Sequence, residues 1–256
     1  MKPGSARWWR ELGLEAPAAP GFTPAAAEAL PPPGFTPAAA EALPPRDAPA
    51  SGGVPVDAAR QAGIAALPWE ALPVAIEDCQ ACALRQGRRR SVPGIGGPGA
   101  RWMFVGEGPG AEEDLRGEPF VGAAGQLLDS MLAALGLQRG SDACIANVVK
   151  CRPPANRTPE PAECAACLPF LERQIALVQP RILVALGRVA AQTLLGSTVN
   201  VGSLRGRVHD YQGIPLVVTY HPAYLLRNQA EKARAWVDLC LAQRALAAAG
   251  AVSGQA

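Results

Sequence analysis

The residues best suited to metal or acid–base chemistry are seven cysteines and two histidines in a chain of 256 residues. Cys79 and Cys82 form a C-x-x-C in "CQAC", and Cys151, Cys164 and Cys167 follow far downstream in "KCRPPANRTPEPAECAAC". A compact zinc ribbon places its second pair only about 15–20 residues on. A site drawing on both sets would therefore join two remote segments. Four thiolates suit zinc or an iron–sulfur cluster, and spacing leaves both open. Cys164 and Cys167 read as a second C-x-x-C, while Cys144 and Cys240 sit in apolar patterns as small buried hydrophobes.

Other candidates stand where apolar runs end. "RWMFVGEG" (101–108) leads into Glu107 and the Gly-rich "GEGPG", and "ACIANVVK" (143–150) carries Asn147. "PLVVTYH" (215–221) ends on His221, and "RILVALG" (181–187) on a glycine. "GEGPG" is neither a P-loop nor G-x-G-x-x-G, since Pro109 interrupts it and no Gly-Lys-Ser/Thr follows. It is a plain turn or a close approach of backbone to a phosphate or planar ring. His221 precedes Pro222, which biases it to extended backbone and projects its ring from the strand end. Beyond it, "HPAYLLR" sets Tyr224, Leu225 and Leu226 before Arg227 in a loop. Adjacent leucines beside a cation are core, or they enter something such as a base stack.

The four apolar runs are nearly continuous, as strands buried on both faces of a parallel sheet require. Helical patterns alternate with them at 123–136, 162–178, 188–196 and 230–250. This order predicts right-handed crossovers and an α/β fold: a three-layer α/β/α sandwich around a central four-stranded parallel sheet. Ligands of such sheets bind beyond the carboxyl ends of the strands, where Glu107, Asn147 and His221 lie.

The front of the chain differs. "PGFTPAAAEALPP" occurs at 20–32 and again, unchanged, at 33–45, and Pro/Ala-rich sequence continues to about residue 68. Residues 1–70 are expected to be a disordered, semi-extended N-terminal extension, with 75–247 as the folded domain and 248–256 as a tail. "RWWRELGL", around Trp8 and Trp9, could form a short helical tip that docks on a partner. A net charge of +2 is too small to diagnose nucleic-acid binding, although "RQGRRR" (85–90) is a basic cluster, read as a solvated loop or a phosphate contact. The N-terminus lacks an apolar signal region, and no stretch suggests a membrane span. A cytoplasmic, bacterial protein without membrane contact is expected, where clustered cysteines bind metal or do redox chemistry rather than form structural disulfides.

Taken together, "GEGPGAEEDLRGEPFVGAAGQLLDSML", "NVVKCRPPANRTPEP", "LVALG" and "VVTYHPAYLLR", in that order, resemble the family 4 uracil-DNA glycosylases, the iron–sulfur, thermophile-type branch of the uracil-DNA glycosylase superfamily. The resemblance spans roughly residues 75–245. Two departures stand out: Gly108 replaces the family's usual alanine in "GEAPG", and the repeat-bearing N-terminus lies outside the family core. The resemblance implies a monofunctional DNA N-glycosylase that flips uracil out of single- or double-stranded DNA, hydrolyses its N-glycosidic bond and leaves an abasic site, acting as a monomer in base-excision repair, with a repair or replication protein as the partner of the Trp8-Trp9 tip.

It further implies a [4Fe–4S] cluster held by Cys79, Cys82, Cys151 and Cys167, with Cys164 on a helix position that is not a ligand. Phe120 would stack on the flipped ring and Asn147 would hydrogen-bond its polar edge. Glu107, with Gly108 beside it, would crowd out the methyl of thymine. His221 would donate to O2 as uracil departs. Asn156 would position the attacking water, Leu225 and Leu226 would wedge the DNA, and Arg227 would hold its backbone. Two rival readings differ in chemistry. One is a superfamily relative that binds uracil-DNA in a stable or covalent complex through a histidine in an inserted basic loop, which "KCRPPANRTPEP" lacks. The other is a metal-stapled, non-catalytic DNA-binding module.

Overall fold

The computed structural model describes residues 57–252. The tandem repeat and the Trp8-Trp9 tip lie outside the described residues. In chain order the elements are α1 (Ala58–Ala66), α2 (Leu72–Glu77), β1 (Trp102–Gly106), α3 (Ala111–Arg116), α4 (Ala123–Ala134), β2 (Ala143–Asn147) and α5 (Pro161–Val178). Then follow β3 (Ile182–Leu186), α6 (Arg188–Leu195), α7 (Val201–Leu204), β4 (Val208–Tyr211), β5 (Ile214–Thr219), α8 (Pro222–Arg227) and α9 (Lys232–Val252).

The sheet runs β2-β1-β3-β5-β4, with parallel pairing throughout except for β4, which is antiparallel to β5 at the edge. The expected four parallel strands are present, and the fifth is a correction. Gln212 and Gly213 both have positive φ, 52° and 84°, and close a two-residue hairpin between β4 and β5. Such turns are usually announced by Asn-Gly or Asp-Gly, so Gln-Gly concealed this one.

Strand residues alternate between two cores, as three layers demand. Trp102, Phe104, Ile145, Val184 and Val217 pack with α4, α8 and α9 through Leu128, Leu225 and Leu239. Met103, Val105, Ala146, Leu183 and Val218 pack on the other face with α2, α5 and α6, through Ile76, Phe170 and Ala190. The folded region starts earlier than the sequence suggests. In α1, Asp57 caps the helix, Ile64 is buried, and the Arg60 guanidinium lies 5.3 Å from the centre of the Phe170 ring. Arg173 also donates to the Leu67 carbonyl at 2.7 Å, so residues 57–70 belong to the domain and not to a tether. Among the described residues no helix is long and apolar enough to cross a membrane.

Candidate active site and cysteine pocket

The parallel register sets Gly106, the last residue of β1, opposite Asn147, the last of β2. Asn147 is 1% exposed, and its Oδ1 has no hydrogen-bond partner. A buried amide oxygen left unpaired costs about 1–3 kcal/mol, which a ligand donor would recover. A Cβ on Gly106 would lie 2.4 Å from that oxygen and 2.5 Å from Phe120 Cζ. Only the missing side chain lets the amide and the ring share this space. The Phe120 ring also faces the His221 ring, with centroids 5.5 Å apart and planes 30° from parallel. Phe120, Asn147 and His221, remote in sequence, thus meet beyond the carboxyl ends of β1, β2 and β5, around the point where the strand order reverses.

Phe120 holds this position with φ of 54°, a left-handed conformation that costs a non-glycine residue about 1–3 kcal/mol. Glu113, on α3, restrains the surrounding loop. Its carboxylate accepts from the backbone N–H groups of Val121 (2.8 Å), Gly122 (3.0 Å) and Gly110 (3.1 Å). "GEGPG" is thereby tied to the loop that carries the ring, so it is a structured element rather than a plain turn.

His221 is placed by two local devices. Gly187, after β3, has φ of 87°, and a Cβ there would lie 2.9 Å from His221 Cβ, so glycine permits the close approach. His221 also caps α8: its Nδ1 accepts from the Ala223 N–H at 3.1 Å, with Pro222 in the first turn. A neutral ring accepting at Nδ1 must carry its proton at Nε2. Burial, reinforced by the nearby Arg227 charge, pushes the pKa down to about 4, against a smaller opposing pull from Glu113. His221 is a neutral Nε2–H donor at neutral pH.

The remaining predicted residues divide. Glu107 is half-buried, and burial raises its carboxyl pKa against the opposing influences of Arg188 and Thr158. Its carbonyl is occupied by the Val149 N–H at 3.1 Å. A Cβ on Gly108 would lie 2.7 Å from Val149 Cγ2, so glycine fits the floor beneath that loop. Asn156 is exposed, has φ of 55°, and its Oδ1 accepts from Arg152 Nε at 2.7 Å. "HPAYLLR" forms the helix α8 where the sequence suggested a loop, and this separates the paired leucines. Leu225 is 0% exposed in the core against α4 and α9, whereas Leu226 is 40% exposed beside exposed Tyr224 and Arg227. Leu225 is a packing residue and not a wedge.

Cys79, Cys82, Cys151 and Cys167 line one cavity, together with Ile76, Ala81, Arg85, Lys150, Ala166 and Phe170. Cys164 is absent from its wall. Two cations approach the sulfurs: Arg88 Nη1 lies 3.0 Å from Cys151 Sγ and Arg60 Nη2 3.4 Å from Cys79 Sγ. Arg88 is therefore turned inward, where the sequence suggested a solvated cluster or a phosphate contact, and it also donates to the carbonyls of Ile76 and Glu77. Burial raises the thiol pKa values of Cys82 and Cys151, and pushes that of Cys167 up to about 12. Thiols this hard to ionise become thiolates when a bound cation compensates them. Among the described residues, no three Cys, His, Asp or Glu side chains converge tightly enough to hold a single metal ion.

Lys150 was not foreseen from the sequence. Lys150 is fully buried, and its ammonium donates to the Asn147 carbonyl and to Gln174 Oε1, each at 2.6 Å. Burial lowers its pKa to about 8, opposed by Cys167 and Cys144. It also lines the cavity that holds Cys151 and Cys167. A lysine closing an apolar run, immediately before a candidate ligand cysteine, was the available signal.

This sheet, with a buried amide, an aromatic ring and a neutral histidine at its carboxyl edge, matches a known class. The Uracil DNA glycosylase superfamily model matches residues 93–243, a stretch that holds all five strands and all three of those side chains. The chain belongs to that superfamily. It is 45% identical over 176 residues to a type-4 uracil-DNA glycosylase of Pyrobaculum aerophilum, covering 65% of this chain and 88% of that protein. A type-4 enzyme of Thermotoga maritima is 47% identical over 161 residues, 62% of this chain and 83% of the relative. The likeness to a type-5 uracil-DNA glycosylase of Thermus thermophilus is lower, 35% over 155 residues, 52% of this chain and 68% of that protein. Within the superfamily, the chain is a type-4 member.

Proposed function

We propose that this protein removes uracil from DNA by hydrolysing the bond between uracil N1 and the sugar C1′. The observation that carries the reading is the unpaired, buried Oδ1 of Asn147 beside the Phe120 ring and the His221 imidazole. A flipped uracil offers a planar face for Phe120, an N3–H donor for Asn147 Oδ1 and an O4 acceptor for the same amide. Cytosine reverses that donor and acceptor pattern, so a fixed amide penalises it. As the N1–C1′ bond lengthens, its electron pair moves into the uracil ring and charge gathers on O2. His221 Nε2–H is the donor for that oxygen. One such donor contributes about 3–4 kcal/mol to the transition state. Because the ring is neutral and its other nitrogen is fixed by the Ala223 N–H, no rearrangement is needed to present the proton.

Water then attacks C1′ and yields the abasic sugar. For Asn156 to hold that water, its amide oxygen must leave the Arg152 guanidinium. Glu107 stands against the C5 edge, where a thymine methyl would collide. Exposed Leu226 and Tyr224 face the gap in the DNA, and Arg227 its backbone.

The cysteine pocket is assigned to a [4Fe–4S] cluster held by Cys79, Cys82, Cys151 and Cys167. Four sulfurs around a shared cavity, with Arg88 and Arg60 as counter-charges, fit a bulky anionic cluster better than zinc, which draws its ligands to about 2.3 Å from one point. Hydrolysis transfers no electrons, so the group's contribution would be structural: its ligands would tie the segment before β1 to the loop after β2 and to α5.

Uracil-containing oligonucleotides, single- and double-stranded, test the activity. Free uracil and alkali-labile strands are expected. A stable adduct in denaturing gels, or tight DNA binding without released uracil, would overturn the hydrolytic reading.

A further inference from the structure

The base-stacking ring is held in a strained backbone conformation, and the acceptor side of that loop has its own restraint. Arg139, between α4 and β2, donates from Nη1 to the Pro119 carbonyl and from Nη2 to the Phe120 carbonyl, each at 2.9 Å. Its Nε donates to Asp129 Oδ1 at 2.7 Å, which fixes the guanidinium plane on α4. One fork thus grips two successive carbonyls of the residues that place the ring, a geometry a lysine could not reproduce. The fit beneath is tight: a Cβ on Gly125 would lie 1.8 Å from the Phe120 carbonyl oxygen. That carbonyl must point at α4 for the ring to reach Gly106 and His221, and a carbonyl aimed there needs a donor.

We propose that Arg139, oriented by Asp129, is a positioning residue for base recognition: it locks Phe120 in the left-handed conformation that aims its ring into the uracil pocket. The inference rests on Phe120 being the stacking platform. It assigns no direct contact between Arg139 and the base or the DNA. Without the fork, the Pro119 and Phe120 carbonyls turn toward water, Phe120 relaxes to negative φ, and the ring leaves its place beside Asn147.

Inhibition of excision by free uracil tests this, because the free base reads the pocket without the DNA contacts. Phe120→Ala, Arg139→Ala and the double variant are compared, with thermal unfolding measured for each. Phe120→Ala is expected to weaken inhibition by about 5- to 150-fold, the range for loss of one base–aromatic stack. Arg139→Ala should fall toward the same value, and adding it to Phe120→Ala should weaken inhibition no further. If Arg139→Ala leaves inhibition unchanged, or its effect persists in full without the Phe120 ring, the proposal is overturned. If Phe120→Ala leaves inhibition unchanged, the platform reading fails and takes the proposal with it. Should Arg139→Ala not fold, Asp129→Asn and Arg139→Gln, which loosen the fork but keep a donor, replace it under the same criteria.

Discussion

Replacing Gly106 with alanine is the smallest change that should disable the pocket. The new methyl carbon would stand 2.4 Å from Asn147 Oδ1 and 2.5 Å from Phe120 Cζ. Carbon contacts are comfortable at about 3.5 Å, so the ring must withdraw by roughly 1 Å, and the amide by nearly as much. Asn147 closes β2 in register with Gly106, and Phe120 is pinned between Glu113 and Arg139. Overpacking of this kind costs about 1–3 kcal/mol of stability. A misplacement of this size costs about 100-fold in rate where groups must be aligned. Single-turnover excision from a uracil oligonucleotide, quantified after alkaline cleavage, should therefore fall by about two orders of magnitude while the protein stays folded. A G106A protein that excises uracil at the unsubstituted rate would show that Asn147 and Phe120 are not jointly the recognition surface.

Three further outcomes follow from the geometry. His221 has a folded-state pKa of about 4 against an ordinary 6.5, so the unfolded chain binds the extra proton between those values; the stability from the neutral ring is complete above 6.5 and is lost as pH falls toward 4. Excision should accordingly show no inflection near 6.5, and an inflection there that His221→Gln abolishes would contradict a neutral donor. Cys167→Ser should lose iron and acid-labile sulfide from anaerobically purified protein while Cys164→Ser keeps both; the reverse result, or zinc in their place, would refute the ligand set. Leu225→Ala should destabilise folding by about 2–5 kcal/mol. Leu226→Ala should leave the unfolding midpoint in place and reduce excision from duplex DNA, and equal destabilisation by the two would remove the distinction drawn between them.

The sheet was legible because its strands are apolar on both sides, a pattern that needs no partner to interpret. The same logic failed at β4. Val208–Tyr211 lies at the edge with Asp210 exposed, and its turn lacks the usual asparagine or aspartate. Helix α1 was hidden by composition, since "AARQAGIAA" continues an Ala-rich tract and shows its role only through Ile64, Arg60 and their contacts with α5. At the site, Glu107, Asn147 and His221 could be found because strand ends are where such sheets bind ligands. The pairing of Phe120 with Asn147 could not be read from spacing, as it depends on what Gly106 leaves empty. Two adjacent leucines look equivalent in a string, but a helix turns them about 100° apart, which buries Leu225 and exposes Leu226. Lys150 and Arg139 were overlooked for one reason: each acts on backbone carbonyls, and no motif of side-chain types records those.

The Lys150 ammonium has a consequence for how this protein can change. It grips the carbonyl of the residue that would read the base, while it also lines the cavity of Cys167 and its neighbour is Cys151. The turn that carries Asn147 and the cysteine pocket are therefore not separable modules. A lineage that abandoned the cysteines would have to rebuild the turn carrying Asn147, and an engineer who altered that turn to admit another base would disturb the cysteine pocket. Substitutions on either side should be accepted only in compensating pairs, and retargeting will be easier from the Phe120 loop, which shares no atoms with this linkage.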